Sequence, residues 1–385
     1  MSKELKLVPN LRFPSFQKED HWNQDSVQNL VITKTSPKKL QSSQYLEEGA
    51  FPIIDQSQNF YCGYTNDDLA IIKEDLPLIV FGDHTCALKM AREPFAQGAD
   101  GIKILKPKPS IDAEYLYQYL FYNGVKQENY KRHFSKLKEK LVPFPELDSG
   151  EQQKIASCLS FLDELITAHK EKLAALKDHK KGLMQNLFPH KGQKVPGLRF
   201  PEFENGGEWV EKKLGKIADN WDSKRVPITS NKRENGEIPY YGASGIIDFV
   251  NNYIFDESLL LISEDGANLI TRVYPIAFSI SGKAWVNNHA HVLKFEKWHT
   301  QILVEVYLNS IKLYDYLTGM AQPKLNRKKL DIIPIPLPLS DQEQQKIASC
   351  LSSLDALITA QAEKILQLQA HKKGLMQRLF PQIQS

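Results

Sequence analysis

Residues Glu151 to Pro189 read EQQKIASCLSFLDELITAHKEKLAALKDHKKGLMQNLFP, and Glu343 to Pro381 read EQQKIASCLSSLDALITAQAEKILQLQAHKKGLMQRLFP. The two stretches align without a gap and agree at 29 of 39 positions, so the chain carries a duplicated unit. A shorter echo marks where that unit begins. VPNLRFPSF (Val8 to Phe16) returns as VPGLRFPEF (Val195 to Phe203), each followed by a tryptophan, Trp22 or Trp209. The period, about 190 residues, is far longer than the roughly 20 to 50 residues of solenoids and propellers, and indicates two fused domains.

Within the first copy the apolar seam runs Ile155, Leu159, Leu162, Ile166, His169, Leu173, Leu176, Lys180, Leu183, Leu187, alternating steps of four and three. That is a heptad pattern on a long helix. The second copy runs Ile347, Leu351, Leu354, Ile358, Gln361, Ile365, Leu368, Lys372, Leu375, Leu379, with polar residues at the same two steps. Matched polar steps suit register control, and a seam that opens to solvent there is the competing reading. Each helix stops before a proline, which cannot continue it. Two related helices pack most simply about a pseudo-twofold axis, which makes them antiparallel and puts the domains that precede them at opposite ends. The helix from Ile155 to Leu187 would span about 48 Å, somewhat over one DNA turn.

Composition sets looser bounds. The chain has 385 residues, 42% hydrophobic and 25% charged, enough for two or three domains with real cores and against wholesale disorder. A surplus of 49 Lys and Arg over 46 Asp and Glu gives only +3, so a nucleic-acid surface would have to arise from local clustering. The start, MSKELKLVPNLRFPSF, lacks the apolar run of a signal peptide, and no stretch suits a membrane span, so a cytoplasmic location is expected. Cys62, Cys86, Cys158 and Cys350 form no CxxC pair and read as buried or idle thiols.

Residues 17 to 147 and 204 to 339 share little sequence, yet each ends in a strand, a helix, a basic run and prolines. In the first half these are GIKIL (Gly101 to Leu105), DAEYLYQYLFYN, KRHFSKLKEK and LVPFP. In the second they are HVLKF (His291 to Phe295), QILVEVYLNSIKLYDYL, KLNRKK and IIPIPLP. The basic runs supply Lys131, Arg132, Lys136, Lys138 and Lys140 in one half and Lys324, Arg327, Lys328 and Lys329 in the other, as candidates for phosphate contact; a solvated charged face is the plainer alternative. Base-reading candidates lie in the loops between strands: Asp83, His84, Thr85, Lys89, Arg92 and Gln97 in the first half, and Tyr241, Ser244, Asn268, Arg272, Lys283, Asn287 and Asn288 in the second.

Catalytic signatures are few. His289 and His291 alternate on an expected strand and could share a zinc, but no third ligand follows at metal spacing, so no metal is expected and hydrogen bonding is the favoured use. There is no GxxxxGK[ST] loop, YYGASG lacks the setting of a dinucleotide site, and no Asn-Pro-Pro-aromatic tetrapeptide is present. The chain reads as a recogniser without chemistry of its own.

Two variable domains, each closed by LVPFP or IPIPLP, followed by EQQKIA opening a duplicated helix that ends in KKGLMQxLF, resemble the specificity subunits of type I restriction-modification systems across essentially the whole chain. IPYYGASGIIDFV, ISGKAWVNNHAHVLKF and IVFGDHTCALK are similar to that family's target-recognition domains. The resemblance implies an α/β (α+β) fold with two target-recognition domains separated by two long antiparallel coiled-coil helices in a circular arrangement. The expected division is an N-terminal segment at 1-16 near the C-terminal helix, recognition domains at 17-147 and 204-339, conserved-type helices at 148-189 and 340-381, and a linker at 190-203. The resemblance further implies that each domain reads half of a split double-stranded DNA site while the helices set the gap. Two methyltransferase subunits and two restriction subunits would bind, carrying the S-adenosylmethionine, ATP and magnesium, with no cofactor in this chain. Gln152, Lys154, Glu164 and Lys172 are the outward residues expected at the dock. The alternative is a coiled-coil assembly scaffold whose variable domains bind proteins.

Overall fold

The computed structural model describes residues 7–19, 21–99, 101–128, 131–190, 192–319 and 322–381; part of the expected N-terminal segment therefore lies outside the described residues. The chain divides into two compact units, 1–170 with 363–385, and 171–362. Each unit thus takes one recognition module and a portion of both duplicated helices.

The first unit holds β1 (Asn23–Ser26), α1 (Val27–Leu30), β2 (Val31–Lys34), β3 (Phe51–Ile54), β4 (Gly63–Thr65) and β5 (Ile71–Ile72). It continues with β6 (Leu78–Gly82), β7 (Leu88–Ala91), β8 (Phe95–Gln97), β9 (Ile102–Pro107), α2 (Ala113–Asn123), α3 (Phe134–Glu139) and β10 (Leu141–Phe144), and α4 (Glu151–Leu187) begins in it. The second unit holds β11 (Val210–Lys213), β12 (Asp219–Asn220), β13 (Asn235–Gly242), β14 (Gly245–Val250), β15 (Phe255–Asp256), β16 (Leu259–Ser263), α5 (Asn268–Thr271) and β17 (Ala277–Ile280). β18 (Lys283–Val286), β19 (Ala290–Lys294), α6 (Trp298–Ser310), α7 (Arg327–Asp331), β20 (Pro334–Leu337) and the start of α8 (Asp341–Leu379) complete it.

The two modules, so unlike in sequence, share one strand plan. An antiparallel sheet ordered β2-β9-β6-β7 corresponds to β12-β19-β16-β17, and a mixed sheet β4-β3-β8-β5 corresponds to β14-β13-β18-β15. In the mixed sheets β3 runs parallel to β8 and β13 parallel to β18. The proline-rich strands β10 and β20 each pair with one short strand, β1 or β11, which suits prolines that cannot donate to a ladder on both sides. The central strands LIVFG and LLLIS are buried throughout. Alternate residues point to opposite faces, so Ile79 and Phe81 join the core on the helix side while Leu78 and Val80 join a separate one. In the same way Leu260 and Ile262 face one core and Leu259 and Leu261 another.

Local chemistry fixes the helices. The Asp112 carboxylate accepts the Tyr115 N–H and caps α2, and the Asn326 side chain accepts the Lys329 N–H and caps α7. The stretch QILVEVYLNSIKLYDYL, read from sequence as one helix, ends instead at Ser310, and Tyr314–Tyr316 forms only a 3-10 turn. The half-buried Arg272 guanidinium takes up the carbonyls of Leu308 and Ile311, satisfying acceptors that a longer helix would have used itself.

In the first unit the beginning of α4, with Ile155 and Leu159, shares its core with Met376, Leu379 and Phe380 from the end of α8. In the second unit Leu187, at the end of α4, shares its core with Ile347 and Leu351 from the beginning of α8. The helical segments therefore run antiparallel in each unit. The seam lysines have defined partners at equivalent places. Lys372 Nζ lies 2.6 Å from both Asp163 oxygens and Lys180 Nζ 2.5 Å from Asp355. With its side chain only 8% exposed, Lys372 does not sit where a seam opens to water.

The opening residues of each duplicated helix are anchors. Glu151 takes a two-pronged bond from Arg12, and Glu343 takes the same from Arg199, so the Arg of each LRFP echo meets the Glu of each EQQKIA. These side chains are 8% and 1% exposed in the first pair and 7% and 1% in the second. Leu11 N–H also donates to the Arg378 carbonyl and Leu198 N–H to that of Asn186, one bond in each unit. Gln152, expected to face outward, is fully buried: its amide donates to the carbonyls of Ser110 and Pro145 and its oxygen accepts the Asp112 N–H. Its polarity is spent on closing the junction between the sheet and the helix, which corrects the expectation of a docking contact. Lys154, Glu164 and Lys172 are exposed.

Candidate nucleic-acid interface

In each unit an acidic residue just after the central strand ties down the basic segment, while Arg92, after β7, and Lys283, paired with Asp256, lie toward the other end of that strand. After β6, Asp83 Oδ1 accepts the N–H groups of His133 and Phe134, and its carbonyl accepts the His133 N–H as well. After β16, the Glu264 carbonyl accepts the Leu325 N–H and its carboxylate lies 3.2 Å from Lys324 Nζ. The backbone of the first basic run is thus seated by Asp83, and that of the second by Glu264.

Several polar loop residues turn out to work inside the fold. Asp83, 4% exposed, is the seat just described. Lys89 is equally buried, with Nζ 2.8 Å from the Asp55 carbonyl; burial lowers its pKa, partly offset by the Asp55 charge. Gln97 and Asn287 are buried, and the Asn287 side chain accepts the His289 N–H to shape the turn before β19. Arg272 serves the end of α6, and the Asn268 amide clasps Tyr274 through both its N–H and its carbonyl. Arg92 forms a two-pronged pair with Glu114 on α2. Thr85 Oγ1 donates to the Gln56 carbonyl, and His84 is half-buried. Forked and amide side chains suit base edges, but the same geometry satisfies buried carbonyls, and sequence alone does not separate the two uses.

The outward set is smaller. Lys131, Arg132 and Lys136 are exposed in the first unit, Lys136 beside Glu128 at 2.6 Å, while Lys138 lies over the Phe134 ring. Lys140 is half-buried, and burial lowers its pKa. In the second unit Ser244, Lys283, Asn288, Lys324, Arg327 and Lys328 are exposed. Lys283 rests over the Tyr253 ring, Arg327 lies 3.7 Å from Asp331, and Tyr241 is half-buried against Phe278. Partnered cations at a surface exchange partners at little cost, since exposed pairs are worth about 1 kcal/mol or less.

The two histidines do not share a ligand position. β19 starts at Ala290, so His289 belongs to the preceding turn and its ring goes to Asp265, whereas His291 points inward to Asp222. Among the described residues no group of three or more His, Cys, Asp or Glu is placed to hold a metal ion, and no helix is long and apolar enough to cross a membrane. All four cysteines are free thiols.

Sequence reading passed over the group around His291: Asp222, Arg225 and Glu264. Burial pushes the Asp222 carboxyl up, but the bond and charge of His291, the Val292 N–H and Arg225 outweigh it and hold it below the usual carboxylate range. Glu264 is held low in the same way, with Arg225, His291 and Lys324 overcoming burial. The only trace in the sequence is charge of both signs, in WDSKR and SEDG, beside buried strands.

Fold and surface together define a duplicated two-module α/β protein in which each module seats a basic segment at the end of its central strand. The profile of the type I restriction modification DNA specificity domain matches residues 22–178 and again 206–370, and the chain belongs to that family. It is 38% identical over 154 residues to S.HindORF215P of Haemophilus influenzae, described as a type I restriction enzyme specificity subunit, covering 40% of this chain and 39% of that protein. It is 26% identical over 293 residues to the MjaX specificity subunit of Methanocaldococcus jannaschii, covering 69% of this chain and 64% of that one. The chain therefore spans less than two thirds of both relatives. A crystal structure of a type I restriction-modification S subunit from M. genitalium shares the fold, with a TM-score of 0.70 at 18% identity over 98% of this chain and 100% of that one.

Proposed function

We propose that this chain is the DNA specificity subunit of a type I restriction-modification complex, with each unit reading one half of a split double-stranded site. The observation that carries the reading is the matched pair of basic segments, each bonded through its backbone to an acidic residue at the end of a central strand. A rigidly seated cation cluster is what phosphate contact requires, and phosphate contacts set the orientation from which loops read bases. The exposed Lys131, Arg132 and Lys136, with the half-buried Lys138, serve the first half-site and Lys324, Arg327 and Lys328 the second. Ser244, Lys283 and Asn288, with Tyr241, are the base-reading set of the second unit.

The antiparallel helices set the spacer and dock two methyltransferase subunits through their exposed faces, Lys154, Glu164 and Lys172 among them. The chemistry belongs to partners: S-adenosylmethionine to the methyltransferase subunits, ATP and magnesium to two restriction subunits. The chain itself contributes recognition and no catalysis, in the cytoplasm where DNA lies. A titration of duplex DNA against the assembled chain over a range of salt tests this. Sequence-specific binding should exceed non-specific binding by about a thousandfold or more. Changing Arg327 and Lys328, or Lys131 and Arg132, to Ala should weaken binding to all sequences alike and flatten the salt slope by about one per lost contact. Equal affinity for every sequence would replace this reading with a protein-binding scaffold.

A further inference from the structure

The reading end of the second unit is closed by a buried charge network whose function the surface contacts do not account for. His291, the second residue of β19, has its side chain 1% exposed, Nδ1 2.6 Å from Asp222 Oδ2 and Nε2 2.7 Å from the Leu325 carbonyl. Both partners are oxygen acceptors, so each ring nitrogen faces a group that can take a proton donor and the ring is held from both sides. Asp222 Oδ1 accepts the Val292 N–H. Arg225 Nη1 donates to Glu264 at 2.7 Å, to the Ala290 carbonyl at 2.8 Å and to the Asn288 carbonyl at 3.3 Å, while its Nε donates to the Asp222 carbonyl. Glu264 faces Lys324, the network's one half-exposed member at 51%.

Three segments therefore converge on these side chains: the stretch after β16, the turn from Asn287 to His289, and the strand-like segment before α7. Burying this many charges costs desolvation that an apolar core of the same volume would not, so net stability is a weak reason for their presence. What they supply is fixed geometry between the turn and the basic segment. The first unit secures the corresponding junction with fewer charges. There Asp83 takes backbone N–H groups, and the fully buried His133 accepts the Glu128 N–H on Nε2, so its other nitrogen alone donates.

We infer that Asp222, Arg225 and His291 are positioning residues that lock the Asn287–His289 turn to the Lys324–Lys328 segment and so set base selectivity in the second half-site alone. The inference rests on the proposed reading of DNA by two separate units. Its geometric core, however, is open to a test without DNA. Hydrogen exchange on the free full-length chain reads the Val292 and Leu325 amides directly. In His291→Gln and in the milder Arg225→Lys, which keeps the charge but not the fork, exchange at these two amides should quicken about tenfold or more, with His133 and Phe134 unchanged. Unchanged exchange at Val292 and Leu325 overturns the proposal.

The second arm uses the chain assembled with a methyltransferase partner. Discrimination against single-base changes in the second half-site should fall about tenfold in both variants, with the first half-site read as before. An equal loss in both halves, or none in either, contradicts selective positioning. A wild-type complex that discriminates at neither half would sink the DNA reading itself, while the exchange result still decides whether the network holds the turn.

Discussion

At the scale of residues the account turns on charges placed out of water. Arg12 and Glu151, like Arg199 and Glu343, fasten each LRFP segment to the start of a long helix through buried two-pronged pairs. Such a pair adds little over an apolar contact, yet removing one partner strands the other at a cost of about 3–5 kcal/mol. Arg12→Ala should therefore lower the melting temperature sharply, while the exposed Lys154→Ala should leave it nearly unchanged; similar melting for the two variants would show that the pair is not an anchor. Asp222 and Glu264 give a pH signature. Both carboxyls sit below their usual values in the folded chain, so the unfolded chain takes up protons first as the pH falls. Their contribution is complete above about pH 5 and fades as acidity passes the unfolded values near 4 and then the folded ones. Asp222→Asn should flatten the acid limb of a melting-temperature profile between pH 3 and 6, and an unaltered limb would remove Asp222 from that role.

At the scale of elements, periodicity made the long helices readable: their seams, their proline stops and their polar steps all followed from spacing in the chain. The partners of those steps did not, because Lys372 meets Asp163 and Lys180 meets Asp355 across large sequence separations. Both aspartates are nearly half-exposed, so freeing them from lysine returns them to water cheaply. Lys180→Met with Lys372→Met should leave the melting temperature unchanged or raise it. A drop of many degrees would mean that the pairs, and not the apolar seam, hold the helices together. The basic segments were legible as charge runs, whereas their seating was not. Nothing in the string FGDH shows that Asp83 faces inward to the backbone of α3 while Lys131 and Arg132 face out. The partners of forked and amide side chains such as Arg272 and Asn268 were hidden for the same reason, since donors suited to a base edge suit a stray carbonyl equally well.

At the scale of the whole molecule, duplication was written in identical residues, and the family followed from motifs spread along the chain. The shared strand plan of the two modules was hidden, since β6 and β16 have in common only their apolar character and burial depends on pattern more than identity. That plan is why one frame can carry two different loop surfaces: the cores keep their alternation while the loops at the strand ends vary. The most direct test is selection of bound sequences from random duplex DNA by the assembled complex, repeated after the exposed second-unit residues Ser244, Lys283 and Asn288 are changed to Ala. The account predicts two short specified blocks separated by a fixed unspecified gap, with only one block altered by the changes. A single continuous block, or two blocks altered together, would contradict it.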